Sequence, residues 1–263
     1  MTLVLERRDG RPLRIGHRGA PTLAPENTLR SLRAALREGA ELIEFDVLEL
    51  ADGELVVAHS DDLLEVSHGV VRGSVRRRSL TSLREVAPEL PTFDEVLAFF
   101  VEEAPDTGVH LDLKSPAAAS EIAARVDRFG LAGRTLVSST HIKALRRLAE
   151  GGSGIRTGLT LPRAALGIDE DGRLAPVARM GLRALHGALP AVVGRLLSVS
   201  RATTLVLHHT AVSPAAVRRA HERGAAVVAW TVDDALEFHR VDTAGVDAVV
   251  TNDLRIFAST LTA

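Results

Sequence analysis

His17 and Arg18 stand side by side in Ile15-Gly-His17-Arg18-Gly19, where an apolar run ends, and Pro25-Glu26-Asn27-Thr28 follows just before a helical stretch. Two carboxylates come next in Ile43-Glu44-Phe45-Asp46, a second histidine closes Val56-Val57-Ala58-His59, and Asp112-Leu113-Lys114 ends a further apolar run. Two histidines can share the proton removal and donation that cleavage of a phosphodiester requires. Arg18 can fork onto phosphate oxygens as charge develops there. Glu44 and Asp46 lie two apart on an extended segment, so they share one face while Phe45 points to the other. Neighbouring carboxylates repel, and they stay ionised together when a cation sits between them. With Asp112 they make an all-oxygen set suited to Mg²⁺ or Ca²⁺ rather than zinc. The chemistry these residues fit is metal-assisted cleavage of a phosphate ester.

Such groups work only if rigid elements bring them together, and the chain alternates short apolar runs with amphipathic stretches. Strands are expected at Leu13–His17, Glu41–Val47, Val109–Lys114, Thr135–Ser139, Ile155–Leu161, Thr204–His208, Ala225–Thr231 and Asp247–Thr251, with a short extra one at Glu54–Ala58. Helices are expected at Asn27–Glu38, Thr92–Phe100, Ala117–Phe129, His141–Glu150, within Leu174–Ser200, and at Pro214–Arg223 and Asp233–Asp242. Asn27 reads as the cap of the first helix and Gly39 as its stop. Eight strands separated by helices predict an α/β protein closed as a TIM (β/α)₈ barrel, whose site lies at the C-terminal strand ends. No Gly-x-Gly-x-x-Gly turn follows the first strand, which argues against a dinucleotide fold. Residues 60–91 show no clear helix–strand unit and read as a loop-rich insertion after the second strand, inside one domain spanning 1–263.

Composition narrows the function further. The formal charge is −2, and the short run Arg76-Arg77-Arg78 is the densest basic stretch, so nucleic acid is not an expected partner. The absence of cysteine removes disulfides, zinc-thiolate sites and thiol nucleophiles. The first fourteen residues lack the apolar centre of a signal peptide, and no uncharged apolar run approaches a membrane span. The expectation is a soluble cytoplasmic protein. Lys114 and Lys143 are the two lysines among thirty-two basic residues, which draws attention to Lys114 at its strand end. Trp230, the single tryptophan, ends a strand where it can pack against the non-phosphate part of a ligand. Of the other histidines, His208 can line a pocket, whereas His110 and the rest read as structural.

Assembled, these residues make the sequence resemble the glycerophosphodiester phosphodiesterase family. The matching pieces are His17-Arg18-Gly19, Pro25-Glu26-Asn27-Thr28, Glu44-x-Asp46, Asp52-Gly53 leading to Val57-x-His59, Asp112-Leu-Lys114, Trp230-Thr-Val and Gly245-Val-Asp-Ala-Val-Val-Thr-Asn-Asp253. The resemblance implies a hydrolase that splits small glycerophosphodiesters into sn-glycerol 3-phosphate and an alcohol. It implies that Glu44, Asp46 and Asp112 hold a divalent metal, that His17 and His59 form the acid/base pair, that Arg18 and Lys114 bind phosphate, and that Trp230 contacts the glycerol or leaving-group side. Two departures stand out. Asp112 occupies a position where the family usually carries glutamate, and Ser60 separates His59 from the aspartate that usually follows it directly. A phospholipase D-like barrel is an alternative, disfavoured by the lack of cysteines and of a signal segment. A non-catalytic phospho-ligand barrel is another, and it predicts loss of a histidine or carboxylate that is here retained.

Overall fold

The computed structural model describes residues 2–162 and 176–260. Nine strands form one sheet: β1 (Leu13–Gly16), β2 (Leu42–Glu49), β3 (Leu55–Val57), β4 (Gly108–Leu113), β5 (Thr135–Ser139), β6 (Arg156–Leu161), β7 (Thr204–His208), β8 (Ala226–Trp230) and β9 (Ala248–Thr251). All pair in parallel except β3, which folds back antiparallel on β2 with Val57 opposite Val47. β1 pairs with β9 on one side and β2 on the other, so the eight parallel strands close into a barrel. Around it lie α1 (Leu29–Arg37), α2 (Leu63–Val66), α3 (Leu80–Val86), α4 (Phe93–Glu102), α5 (Ala119–Arg128), α6 (Ile142–Glu150), α7 (Pro176–Ser200), α8 (Pro214–His221) and α9 (Ala235–Thr243). Of the helical region expected within Leu174–Ser200, residues 174 and 175 lie outside the described residues.

Period-two alternation separates two apolar layers. Leu13, Ile15, Leu42, Leu136, Val206, Val228 and Val250 fill the lower barrel interior. Ile43, Phe45, Val47, Val109 and Leu111 face the helices. Phe45 is fully buried, its ring 6.3 Å from that of Phe93 and 5.8 Å from that of Phe100 on α4. That burial stabilises the strand–helix contact by roughly 1.5–3 kcal/mol. It also leaves Glu44 and Asp46 on the opposite face, toward the barrel interior. The register then sets Asp46 beside Asp112, and Asp112 beside Ser138.

Two local expectations need correction. Thr28, not Asn27, caps α1: its Oγ1 accepts the Ser31 N–H, and Asn27 stands outside the helix with φ of +55°. Helix α1 stops at Gly39, as expected, and its φ of +78° suits a residue without Cβ. The second concerns detail: the stretch 60–91 is loop-rich as expected, but it carries two short helices. It holds α2, capped by Asp62, and α3, capped by Ser79. Leu63, Val75, Leu83, Ala87 and Leu90 pack with Leu48, Leu50 and Val56 into a small core of their own. Helices of four and seven residues are too short to display a helical period in sequence, which is why they escape it.

Candidate active site

The C-terminal ends of β1, β2, β4 and β9, with the end of β3, converge on one polar cluster. His17 and Arg18 follow β1 directly. Arg18 has φ of +51°, a conformation L-residues avoid, and three contacts hold it there. Its carbonyl accepts from Asn27 N–H (3.0 Å) and Ser31 Oγ (3.0 Å), and its own N–H donates to Glu44 Oε2 (2.9 Å). Gly19 then passes so close to α1 that a Cβ would stand 2.4 Å from Ser31 Oγ. The turn aims the guanidinium at three carboxylates: Glu26 at 2.7 Å, Asp46 at 3.3 Å and Glu65 at 4.0 Å.

His17 is oriented by a relay from two loops. Asp233, after β8, accepts from both Nδ2–H and backbone N–H of Asn252 (2.7 and 2.8 Å). That fixes the Asn252 amide so that its Oδ1 faces His17 Nδ1 at 2.7 Å. An amide oxygen only accepts, so Nδ1 carries the proton and Nε2 presents its lone pair, 4.0 Å from Glu44 Oε2. Burial, with Arg18 adding to it, lowers the His17 pKa to about 3. The ring is neutral at ordinary pH.

His59 is held differently. Its Nδ1 lies 3.3 Å from Glu65 Oε1, and Ser60 Oγ donates to Glu65 Oε2 at 2.6 Å. Burial alone would raise the Glu65 carboxyl, but its hydrogen bonds with His59 and Ser60 bring it down to about 2. A permanent anion therefore backs the imidazole. Ser60, which breaks the usual histidine–aspartate pair, takes part by positioning this glutamate. Asp61 instead binds Ser74 Oγ and the Arg76 N–H within the excursion.

The carboxylates share the remaining cations. Asp46 accepts Asn27 Nδ2–H at 2.9 Å, and Asn27 Oδ1 accepts the Asp46 N–H at 3.2 Å. Lys114 Nζ spans Asp46 Oδ1 (3.0 Å) and Asp112 Oδ2 (2.7 Å). Burial would raise the Asp46 carboxyl, yet Lys114 and Arg18 outweigh it and hold the group far below the usual range. Burial opposes the Lys114 charge as well, and Asp112 and Asp46 keep it protonated. Ser138 Oγ donates to Asp112 Oδ1 (2.9 Å) and so accepts from His110 Nε2–H (3.0 Å). His110 is thus a buried support beneath Asp112, its pKa lowered to about 4 by burial.

As a donor set for a metal, Glu44, Asp46 and Asp112 fit a hard divalent cation in chemistry. All are carboxylates, and Glu44 and Asp46 are buried. Glu44 is pushed well above the carboxylate range, first by burial and then by Asp46 and Asp112. That is the behaviour of an acid short of a positive partner. Among the described residues no three acids or histidines are gathered closely enough to cage an ion; Lys114 lies between Asp46 and Asp112 instead.

His17, Arg18, Glu44, Asp46, His59, Asp112 and Lys114, all expected from the sequence, are linked through these contacts. Trp230 stands apart, two strands from β1, its ring 5.3 Å edge-on to His208 and its Nε1 buried without a partner. Asn252 and Glu65, which contact the two histidines, and Asp233, which holds Asn252, are not among the residues expected from the sequence, and Asn27 is not the cap expected of it. Asn27 and Asn252 lie in stretches already singled out; Asp233 and Glu65 carry no signal outside the folded chain. No helix among the described residues is long and apolar enough to cross a membrane.

Comparison with known proteins shows the family and the fold. The model of the glycerophosphoryl diester phosphodiesterase family matches residues 17–256. A glycerophosphodiester phosphodiesterase of Arabidopsis thaliana is 28% identical over 256 residues, covering 94% of this chain and 72% of that protein. One from Caldanaerobacter subterraneus is 24% identical over 255 residues, covering 91% and 93%. The glycerophosphodiester phosphodiesterase structure from Thermotoga maritima aligns with a TM-score of 0.72 at 23% identity over 95% of this chain and 98% of its own. A phosphodiesterase of Oleispira antarctica, solved in complex with the product sn-glycerol-3-phosphate, aligns with a TM-score of 0.72 at 22% identity over 96% and 98%. At those identities the shared property of the structures is the barrel.

Proposed function

The chain belongs to the glycerophosphoryl diester phosphodiesterase family and is a phosphodiester hydrolase of it, and from that premise we propose that it splits glycerophosphodiesters into sn-glycerol 3-phosphate and an alcohol with His17 and His59 as its proton-transfer pair. One observation carries the reading. Two histidines flank Arg18, one kept neutral by burial with Asn252 setting the lone pair on Nε2, the other backed by the Glu65 carboxylate.

Arg18 binds non-bridging oxygens of the phosphate, with Lys114 beside Asp46 and Asp112 as a second cation. His17 Nε2 accepts the proton of the nucleophile as the new phosphorus–oxygen bond forms. The bond to the alcohol then breaks, its electron pair stays on the alcohol oxygen, and that oxygen takes the His59 proton. Glu65, 3.3 Å from His59 Nδ1, orients the ring for that transfer. The nucleophile is either water or the glycerol 2-hydroxyl, which gives a cyclic phosphate that water opens; trapping the cyclic product with a slow substrate separates the routes. Glu44, Asp46 and Asp112 are the residues that would hold a divalent ion, Mg²⁺ or Ca²⁺. Such an ion would neutralise charge on the phosphate. Trp230, edge-on to His208 at the end of β8, would contact the glycerol or leaving-group side of the substrate.

The test is release of glycerol 3-phosphate from glycerophosphocholine and glycerophosphoethanolamine with Mg²⁺, Ca²⁺ or EDTA, alongside His17→Ala. Release that needs the ion and is lost in the variant supports the reading. Full activity of His17→Ala, or no release from either diester, overturns it.

A further inference from the structure

His110 lies two residues before Asp112 on β4, on the face turned into the barrel, since Leu111 and Leu113 pack toward the helices. In register it has Glu44 on one side and Leu136 on the other. The inward layer next to it is apolar, built from residues such as Leu13, Ile15, Leu42, Leu136 and Val206. A leucine would fill this place without a polar atom. The histidine is instead 2% exposed, and its Nδ1 is buried with no hydrogen-bond partner among the described residues. An unmet buried acceptor destabilises a fold. Packing therefore does not account for the ring, and departures of this kind gather at functional sites.

The other ring nitrogen does. Nε2 stands 3.0 Å from Ser138 Oγ, and Ser138 is as deeply buried as His110. Asp112 pairs with Ser138 in register, and the short stem of an aspartate keeps its carboxylate level with that hydroxyl, with Oγ to Oδ1 at 2.9 Å. Ser138 has one hydroxyl hydrogen, which Asp112 accepts. The His110 N–H occupies a lone pair of the same oxygen and so holds that hydrogen on Asp112. Oδ2 faces the other way, where Lys114 Nζ lies at 2.7 Å. The same ammonium is 3.0 Å from Asp46 Oδ1, and Asp46 is fixed in turn by Asn27 Nδ2–H at 2.9 Å. Two carboxylates thus grip Lys114, and each is oriented from outside the grip: Asp46 by Asn27, Asp112 by Ser138 and His110. A lysine stem has many rotamers, so the place of its charge depends on both.

We propose that His110 and Ser138 are positioning residues for phosphate binding: they fix the Asp112 carboxylate and through it set the place of the Lys114 ammonium. The assignment rests on the hydrolase reading above and adds to it two residues that touch no substrate. It also gives a role in the site to a histidine that the sequence presents as structural.

The experiment measures kcat and KM on glycerophosphocholine and glycerophosphoethanolamine, and the inhibition constant of sn-glycerol 3-phosphate, for the wild type, His110→Leu, His110→Gln, Ser138→Ala and the His110→Leu, Ser138→Ala double variant. His110→Leu and Ser138→Ala should each lower kcat/KM about tenfold and weaken product binding about threefold, the scale on which supporting partners act. A smaller folded fraction lowers kcat but leaves an inhibition constant where it was. Tm should stay at or above the wild-type value in His110→Leu, which removes the unmet Nδ1. His110→Gln, whose amide can offer an N–H in place of Nε2–H, should recover most of the loss. Because the two residues act in series, the double variant should lose no more than either single one. Ser138→Ala, a smaller change, decides the matter if His110→Leu fails to fold. Unchanged kcat/KM and inhibition constant in both single variants, or losses that follow Tm alone, overturn the positioning role and leave the hydrolase standing. No release from either diester by the wild type overturns the hydrolase reading and this role with it.

Discussion

The two histidines sit in unlike surroundings. His17 belongs to the barrel: it follows β1, its orienting Asn252 follows β9, and Asp233 follows β8, so parallel strand register fixes all three. His59 belongs to the excursion: it follows the antiparallel β3, and its partners Ser60 and Glu65 come from the next few residues of the chain. The barrel half draws its geometry from contacts 19 to 235 residues apart, the excursion half from contacts within six. A barrel cannot change one strand end without disturbing its neighbours. A short hairpin with its own small core can.

The sharpest test of this contrast removes each ring. His17→Ala and His59→Ala should each lower kcat on an unactivated diester by about 10²–10⁴-fold. If His59 acts on the leaving alcohol, a diester with an acidic leaving group, such as a nitrophenyl ester, should restore much of the His59→Ala loss and little of the His17→Ala loss. Equal rescue of both would erase the distinction.

Stability comes next. Phe45→Ala should destabilise the whole fold by about 3–5 kcal/mol, because it empties the strand–helix layer against Phe93 and Phe100. Leu83→Ala should instead loosen residues 60–91 selectively. Hydrogen exchange should accelerate there while the parallel strands stay protected; uniform acceleration would show that the two regions unfold as one.

Asp233→Ala frees the Asn252 amide to flip and should cost activity about 10–100-fold, as loss of a partner behind a functional histidine commonly does. A fall in kcat with little change in KM is the signature to look for. Glu65→Gln is the smaller counterpart and should slow kcat on the order of tenfold, with rescue by Glu65→Asp only partial. Glu65 also carries a pH signature. Its folded pKa, about 2, lies below the ordinary 4.5, so its contribution to stability is present above 4.5 and is lost as pH falls toward 2. Between those pH values the wild type should lose more melting temperature than Glu65→Gln; parallel curves would show that the carboxylate contributes nothing there.

Much of the barrel was legible because its signals are local. The parallel strands are short apolar runs, and the barrel helices α1, α5 and α6 each show a one-sided apolar stripe. Alternation on β2 is enough to set Glu44 and Asp46 on the face opposite Phe45. Thr28 took the capping role expected of Asn27 because the turn at Arg18 needs Asn27 elsewhere, its amide clasping Asp46 from both sides. Nothing in Pro25-Glu26-Asn27-Thr28 distinguishes the two, since either residue can cap a helix.

What the sequence by itself determined is therefore the list of reactive groups, the strand ends that carry them, and the (β/α)₈ architecture, since residue type and periodicity act through neighbours along the chain. Tertiary structure alone decided the tautomer of His17, the anion behind His59, the placing of Lys114 between Asp46 and Asp112, and the cavity beside His59. Each of those depends on a distance of 2.6–3.3 Å between side chains, or on empty space between elements, that barrel closure and the packing of the excursion create.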